Sequence, residues 1–325
     1  MGLFTLDLLE SELLGAKKIA IAGHIRPDGD CIGSCTALYQ YLMQSRHELG
    51  IQQVDVYLEQ FGQEFSIISG LEKIRHTYDY DETYDVFISL DCSGLDRIGQ
   101  AIRYFDSANR TICIDHHITN DNFADVNHVI ADASSTCEVL YDLLDYSLIN
   151  KEIAKCLYIG IVHDTGIFRH SSTSYKTMEI AALLIKKGID FTKIIDKTFT
   201  EKTYIQLQIL GRCLMESKLL MDGKVIVSSI NRKVLAFHGG IYSDLDGIID
   251  QLTKSKDSEV ALFIYETDYN EHKVSLRSNG LVDVSAIAHS FGGGGHVKAA
   301  GCIMNGEVHE IIDKIIPLIK AQIEI

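Results

Sequence analysis

A chain of 325 residues that is 46% hydrophobic has material for about two domains of roughly 150 residues each, and its formal charge of −15 argues against holding long nucleic acid through counterion release, which needs a broad basic face. Eight cysteines without a CxxC pair argue against a zinc ribbon and read as reduced core residues of a cytoplasmic protein. No apolar run approaches a membrane span, the N-terminus MGLFTLDLLESELLG carries acids where a signal peptide carries basic residues, and Leu6 breaks the myristoylation pattern.

The first predicted strand, 18–23, runs into His24 and the turn that holds Pro27, Asp28, Gly29 and Asp30. A helix over 31–48 follows, and its N-terminus favours anions. Taken alone, turn and cap roles account for these residues as well as metal ligation does. A second strand is predicted at 54–59. The third, 86–90, runs straight into Asp91; the sequence DVFISLD buries almost everything before that acid, so an unpaired carboxylate there is costly unless a cation or donor meets it. The fourth, 111–114, ends on Asp115, His116 and His117. Helices are predicted at 135–146, 151–162 and 175–187, with Asp164 just beyond the second. Strands alternating with helices predict a parallel sheet, and in an open sheet of that kind ligands collect beyond the carboxyl ends of the strands. Acids and imidazoles at several such ends predict a metal centre. Nitrogen and oxygen donors without thiolate suit Mn2+ first, with Mg2+, Co2+ or Zn2+ also compatible.

The stretch 188–215 reads as largely helical and carries no motif. It is the expected linker, 189–215, between a domain at 1–188 and a smaller α/β domain at 216–325. In the latter, alternating strands at 224–230, 259–266 and 272–278 precede a helix at 283–291 and the run Gly292-Gly293-Gly294-Gly295-His296. Alone that run reads as a flexible turn; beside a metal centre it reads as a phosphate loop, with Arg277 and His296 adding charge-assisted bonds. Arg97 and Arg169 are further phosphate-contact candidates, although Arg97 could equally pair with Asp96 or Asp106. The apolar helix 135–146 could serve a homodimer as readily as a core.

The segments GHIRPDGDCIGS, ISLDCSGLDRIG, IDHH, HDTGIFRHSST and GGGGHVKAAG resemble, in order and spacing over about 19–305, the four DHH motifs and the DHHA1 motif of the DHH phosphoesterases. They are most similar to the bacterial branch that degrades nanoRNA and dephosphorylates pAp. The resemblance implies a parallel-sheet DHH domain with helices on both faces, a smaller α/β DHHA1 domain, and a cleft between them. It implies one Mn2+ held by His24, Asp28 and Asp91 and a second by Asp30, Asp91, His116 and Asp164, with Asp91 bridging. Asp115 would orient the histidines, and His117 would lie near the scissile phosphate as donor or leaving-group acid. Arg277, Ser278, Gly293, Gly294, Gly295 and His296 resemble the substrate-binding edge. Two positions depart from relatives: His163 stands where they often carry Thr, and Cys113 where they often carry Asn. The implied activity is hydrolysis of short oligoribonucleotides and pAp, with hydrolysis of cyclic di-AMP or pApA as the alternative. A non-catalytic nucleotide-binding protein fits less well, because every ligand position is filled. Partners would be short RNA and small nucleotides, with neither long nucleic acid nor a membrane.

Overall fold

The computed structural model describes residues 6–323, so the first residues of the myristoylation reading lie outside the described residues. By its contacts the chain divides into two units, one ending at Glu201 and the other beginning at Lys202.

The first unit runs α1 (Leu6–Leu13), β1 (Lys18–Ala22), α2 (Gly29–Leu49), β2 (Gln53–Tyr57), β3 (Ile74–Arg75), β4 (Val86–Leu90), α3 (Ile102–Ser107), β5 (Arg110–Asp115), β6 (Val126–Val129), α4 (Thr136–Leu143), α5 (Lys151–Asp164), α6 (Tyr175–Lys186) and α7 (Phe191–Ile195). Its strands form one sheet in the order β3-β2-β1-β4-β5-β6, every pair parallel. Ile19, Ile21, Ile88 and Ile112 pack on α2, α4 and α5, while Ala20, Ala22 and Phe87 pack on Tyr104 and Phe105 of α3. That two-sided burial explains why these strands read as continuous apolar runs. The edge strands β3 and β6, two and four residues long, are too short to show a period, and sequence reading misses them.

Strand order reverses between β1 and β4, so the crevice beyond their carboxyl ends is the topological switch point of the sheet. Local chemistry aims the chain into it. Asp28 caps α2, its Oδ1 accepting the N–H groups of Asp30 and Cys31 at 3.1 Å each. Helices α2 and α5 then pack at backbone distance: a Cβ on Gly33 would lie 2.5 Å from the Cys156 carbonyl oxygen. The apolar residues Val139, Leu140 and Leu143 of α4 are buried in this core. The helix that could have served a dimer therefore spends its apolar face internally.

The second unit runs α8 (Tyr204–Met215), β7 (Lys218–Leu220), β8 (Val225–Ile230), α9 (Arg232–Phe237), α10 (Ile248–Leu252), β9 (Val260–Asp268), β10 (Glu271–Ser278), α11 (Val284–Ser290), β11 (Gly294–His296), β12 (Ala299–Asn305) and α12 (Val308–Ile323). Its sheet has the order β11-β12-β10-β9-β8-β7; β8 and β9 are parallel and the other pairs antiparallel. Val274 and Leu276 bury against Ile287, Ile311 and Ile315 on one face, and Ala261 and Phe263 against Ile209, Ile248 and Leu252 on the other. The segment 189–215, expected as a linker, is shared between the units: Ile194 of α7 buries in the first core and Ile209 and Cys213 of α8 bury in the second. Among the described residues no helix is long and apolar enough to cross a membrane.

Candidate metal centre

The first unit gathers the predicted ligands from four separate parts of the chain. His24 follows β1; its Nδ1 lies 2.8 Å from the Ile25 carbonyl oxygen, which orients the ring with Nε2 toward the site. Its Nε2 faces Asp28 Oδ1 at 3.6 Å and Asp91 Oδ2 at 3.5 Å. Asp91 follows β4 with a φ of +60°, a left-handed conformation that Asp tolerates better than most side chains. That backbone turn sets its carboxylate at the switch point, where it is buried.

The second group forms around His116, just past the end of β5. Its Nε2 lies 3.1 Å from Asp164 Oδ2, 3.6 Å from Asp91 Oδ1 and 4.0 Å from Asp30 Oδ2. Asp164 is the last residue of α5, and the chain leaves it through three successive left-handed residues, Gly166, Ile167 and Phe168. Asp30 is held by the N-terminus of α4: its oxygens accept the N–H groups of Thr136 at 2.6 Å and Cys137 at 2.9 Å. Thr136 also donates its hydroxyl to Asp91 Oδ1 at 3.1 Å. Sequence reading placed α4 but missed this role. Its signal is the run Ser134-Ser135-Thr136, of which Ser135 caps the helix through Glu138 N–H.

Asp115 is fully buried and spends one oxygen on His117 Nδ1 at 2.8 Å and the other on the Asn120 amide at 2.7 Å. His117 is thereby fixed with Nε2 as its remaining ring nitrogen. Asn120, three residues past the histidine pair, carries no signal in the sequence alone. Replacing Asp115 by Asn should lower turnover by about 10- to 100-fold with the metal content of the purified protein unchanged. Loss of bound metal in that variant would instead make Asp115 a ligand.

The charge state of these groups tests whether cations fit. Burial pushes the Asp30 carboxyl well up, and the charges of Asp91 and Asp164 push it further. Burial also raises Asp164. Burial opposes charge on His24 and His116, yet the hydrogen bonds His24 donates to Asp28 and Asp91 raise the first to about 12, and the one His116 donates to Asp164 raises the second to about 10. Asp30 and Asp164 are thus pushed toward the protonated form, and His24 and His116 toward the charged one. The ionic partners of Asp30, Asp91 and Asp164 among the described residues are histidines. Ligand atoms of Asp91, His116 and His117, and of Asp30, His116 and Asp164, each lie within 4.8 Å of one another. The donor set fits divalent cations, which would let the histidines stay neutral and the acids ionised.

The remaining candidates lie as follows. Arg97 Nη2 approaches His24 Nδ1 to 3.4 Å, and Arg169 Nε donates to the Gly166 carbonyl at 3.0 Å. His163 is not among the ligand groups. Its ring packs on Phe65 and Phe199 and under Gly29, and its Nε2 is buried without a hydrogen-bond partner. Cys31 was read as a core residue; it is buried, and its sulfur also lies with His24 and Asp91 in a third ligand group. In the second unit Arg277 Nε lies 3.3 Å from Asp250. Ser278 is buried and donates to Glu259 at 2.9 Å, which closes the turn after β10. The glycine run is partly a strand: Gly294–His296 pair with β12, and Gly293 N–H donates to Ala288 at 2.9 Å. A Cβ on Gly295 would lie 2.5 Å from the Ala299 carbonyl oxygen, so this close pairing requires glycine.

Residues 18–161 match the DHH family, N-terminal domain, and residues 222–324 match the DHHA1 domain. The bifunctional oligoribonuclease and PAP phosphatase NrnA of Thermus thermophilus is 27% identical, over 97% of this chain and 94% of its own. The protein of the same description from Bacillus subtilis is 27% identical over 87% of this chain and 88% of its own. The crystal structure of an exopolyphosphatase-related protein from Bacteroides fragilis aligns with a TM-score of 0.87 at 28% identity, covering 97% of this chain and 95% of that one.

Proposed function

The chain belongs to the DHH/DHHA1 family of phosphoesterases, and we propose that it hydrolyses short oligoribonucleotides and pAp with two divalent cations, Mn2+ first and Mg2+ or Co2+ as substitutes. The observation that carries this reading is the position of Asp91, which turns Oδ2 toward His24 and Oδ1 toward His116. One carboxylate thus serves two ligand groups. His24, Asp28 and Asp91 hold one cation; Asp30, Asp91, His116 and Asp164 hold the other. Bound there, such cations lower the pKa of a water and offset charge on the phosphate.

The protein's own groups do the rest. His117, with Nδ1 fixed on Asp115, offers Nε2 to the leaving oxygen, and the hydrogen bond it donates to Asp115 raises its proton affinity. A raised imidazole pKa suits a group that delivers a proton. Arg97 and Arg169 contact the phosphate. Arg277, His296 and the backbone of Gly293 to Gly295 bind the substrate end, with Ser278 holding the turn beside them. Catalysis is assigned to residues 1–188 and substrate binding to 216–325, in a cytoplasmic enzyme. The NrnA relatives, named for oligoribonuclease and PAP phosphatase activity, support this substrate choice. So does the charge of −15, which disfavours long strands.

The test compares turnover of pAp, short oligoribonucleotides, pApA, cyclic di-AMP and a long single strand with Mn2+ present or chelated. The expected result is metal-dependent turnover of pAp and the short RNAs and little of the long strand. A clear preference for cyclic di-AMP would overturn the ranking.

A further inference from the structure

We propose that the Cys31 thiol is a further donor, beside His24, Asp28 and Asp91, to that half of the centre, so that this half accepts a thiophilic divalent cation such as Zn2+, Co2+ or Cd2+ through a sulfur–metal bond. The inference rests on the reading that His24 and Asp91 hold a cation. Ligand atoms of His24, Cys31 and Asp91 lie within 4.8 Å of one another, and all three residues are buried. The start of α2 fixes Cys31 in place, because its N–H is bonded to the Asp28 cap. Its sulfur faces the Cys35 thiol and, loosely, the His24 carbonyl at 4.0 Å, partners that a cation can displace. Cys92, next to Asp91, is committed instead to the Leu90 carbonyl at 3.4 Å.

An imidazole, two carboxylates and a thiolate make a softer donor set than the three acids around His116. Thiolate favours Zn2+ and its neighbours, whereas carboxylate favours Mn2+ and Mg2+. As the sulfur–metal bond forms, the thiol proton leaves to solvent, so uptake of such a cation releases one proton more than oxygen ligation does. The two halves then differ in preference: the half around His116 keeps hard cations, and the half containing Cys31 is open to displacement by soft ones.

The experiment loads metal-free full-length protein with Co2+, measures the cobalt bound, and records the near-ultraviolet sulfur-to-cobalt charge-transfer band. The wild type should show the band. Cys31→Ala and Cys31→Ser should lose it while still binding cobalt, and their Zn2+ affinity should fall by at least about tenfold with Mn2+ affinity little changed. Cobalt bound without the band in the wild type, or a band that survives in both variants, overturns the proposal and leaves the metal centre standing. No cobalt bound by the wild type overturns both. Should the variants fail to fold, cadmium NMR on the wild type decides the matter, since a shift lacking sulfur ligation overturns the proposal.

Discussion

Asp91→Asn should leave a folded protein with almost no turnover and no stable metal pair. Asn occupies left-handed backbone about as readily as Asp, so the φ of +60° at this position does not oppose the change. The amide can still accept the Thr136 hydroxyl. What disappears is the one charge that both ligand groups share. Lewis-acid stabilisation of this kind is worth several kcal/mol, so turnover should fall by about 10³-fold or more. Stability of the metal-free protein should change far less, because the variant gives up the pairs of Asp91 with His24 and His116 but also loses a repulsion. Asp30 is raised by burial and by the charges of Asp91 and Asp164, and removing Asp91 relieves that repulsion.

The sign follows from linkage. An acid whose folded pKa is raised loses stability as pH rises from its unfolded value through the folded one. His24 and His116, raised by their acids to about 12 and about 10, contribute stability that is complete below the unfolded value of 6.5 and lost as pH climbs through those values. Metal-free wild type should therefore melt progressively earlier above neutral pH, and Mn2+ should reverse the trend. Asp91→Asn should show a weaker pH trend and little response to Mn2+. Full metal content and turnover in this variant would refute the shared-carboxylate reading.

Gly160→Ala should damage stability and chemistry together. In an open helix the change gains up to about 1 kcal/mol from helix propensity. On α5, however, the new Cβ would lie 2.5 Å from Asp30 Oδ1 and 2.9 Å from Cys137 Cβ. Overpacking of that kind costs about 1–3 kcal/mol, which outweighs the propensity gain. The shift also falls on the carboxylate that the α4 N-terminus holds, and a displacement of about 1 Å at a catalytic group can cost about 10²-fold in rate. Gly211→Ala on α8, where a Cβ meets open space, should leave the thermal midpoint unchanged or raise it. Equal stability and turnover for Gly160→Ala and wild type would show that α2 and α5 have room to spare.

The parts of this protein that were legible in its sequence are those where burial and charge coincide. Strands buried on both faces stand out as apolar runs, and an acid at the end of such a run is conspicuous because it has no reason to be there without a partner; Asp91 and Asp115 were readable for this reason. The contributions of Thr136 and Asn120 were not readable. They arise from hydrogen bonds between elements far apart in the chain, and nothing local distinguishes these side chains from ordinary cap and turn residues. Cys31 was hidden differently, since a buried cysteine beside apolar neighbours looks the same whether or not a ligand group faces it. The segment 189–215 was readable as helical, but the two apolar stripes within it do not announce that they enter separate cores.

The borders of the two sheets have a bearing on how the protein behaves when concentrated. Each sheet ends on short strands, β3 and β6 in the first and β11 and β7 in the second, none longer than four residues. So brief a run of unpaired N–H and C=O groups gives a second chain little to extend by strand addition. The fold therefore carries its own guard against ladder-like self-assembly, to which Arg75 on β3 and Lys218 on β7 add charge.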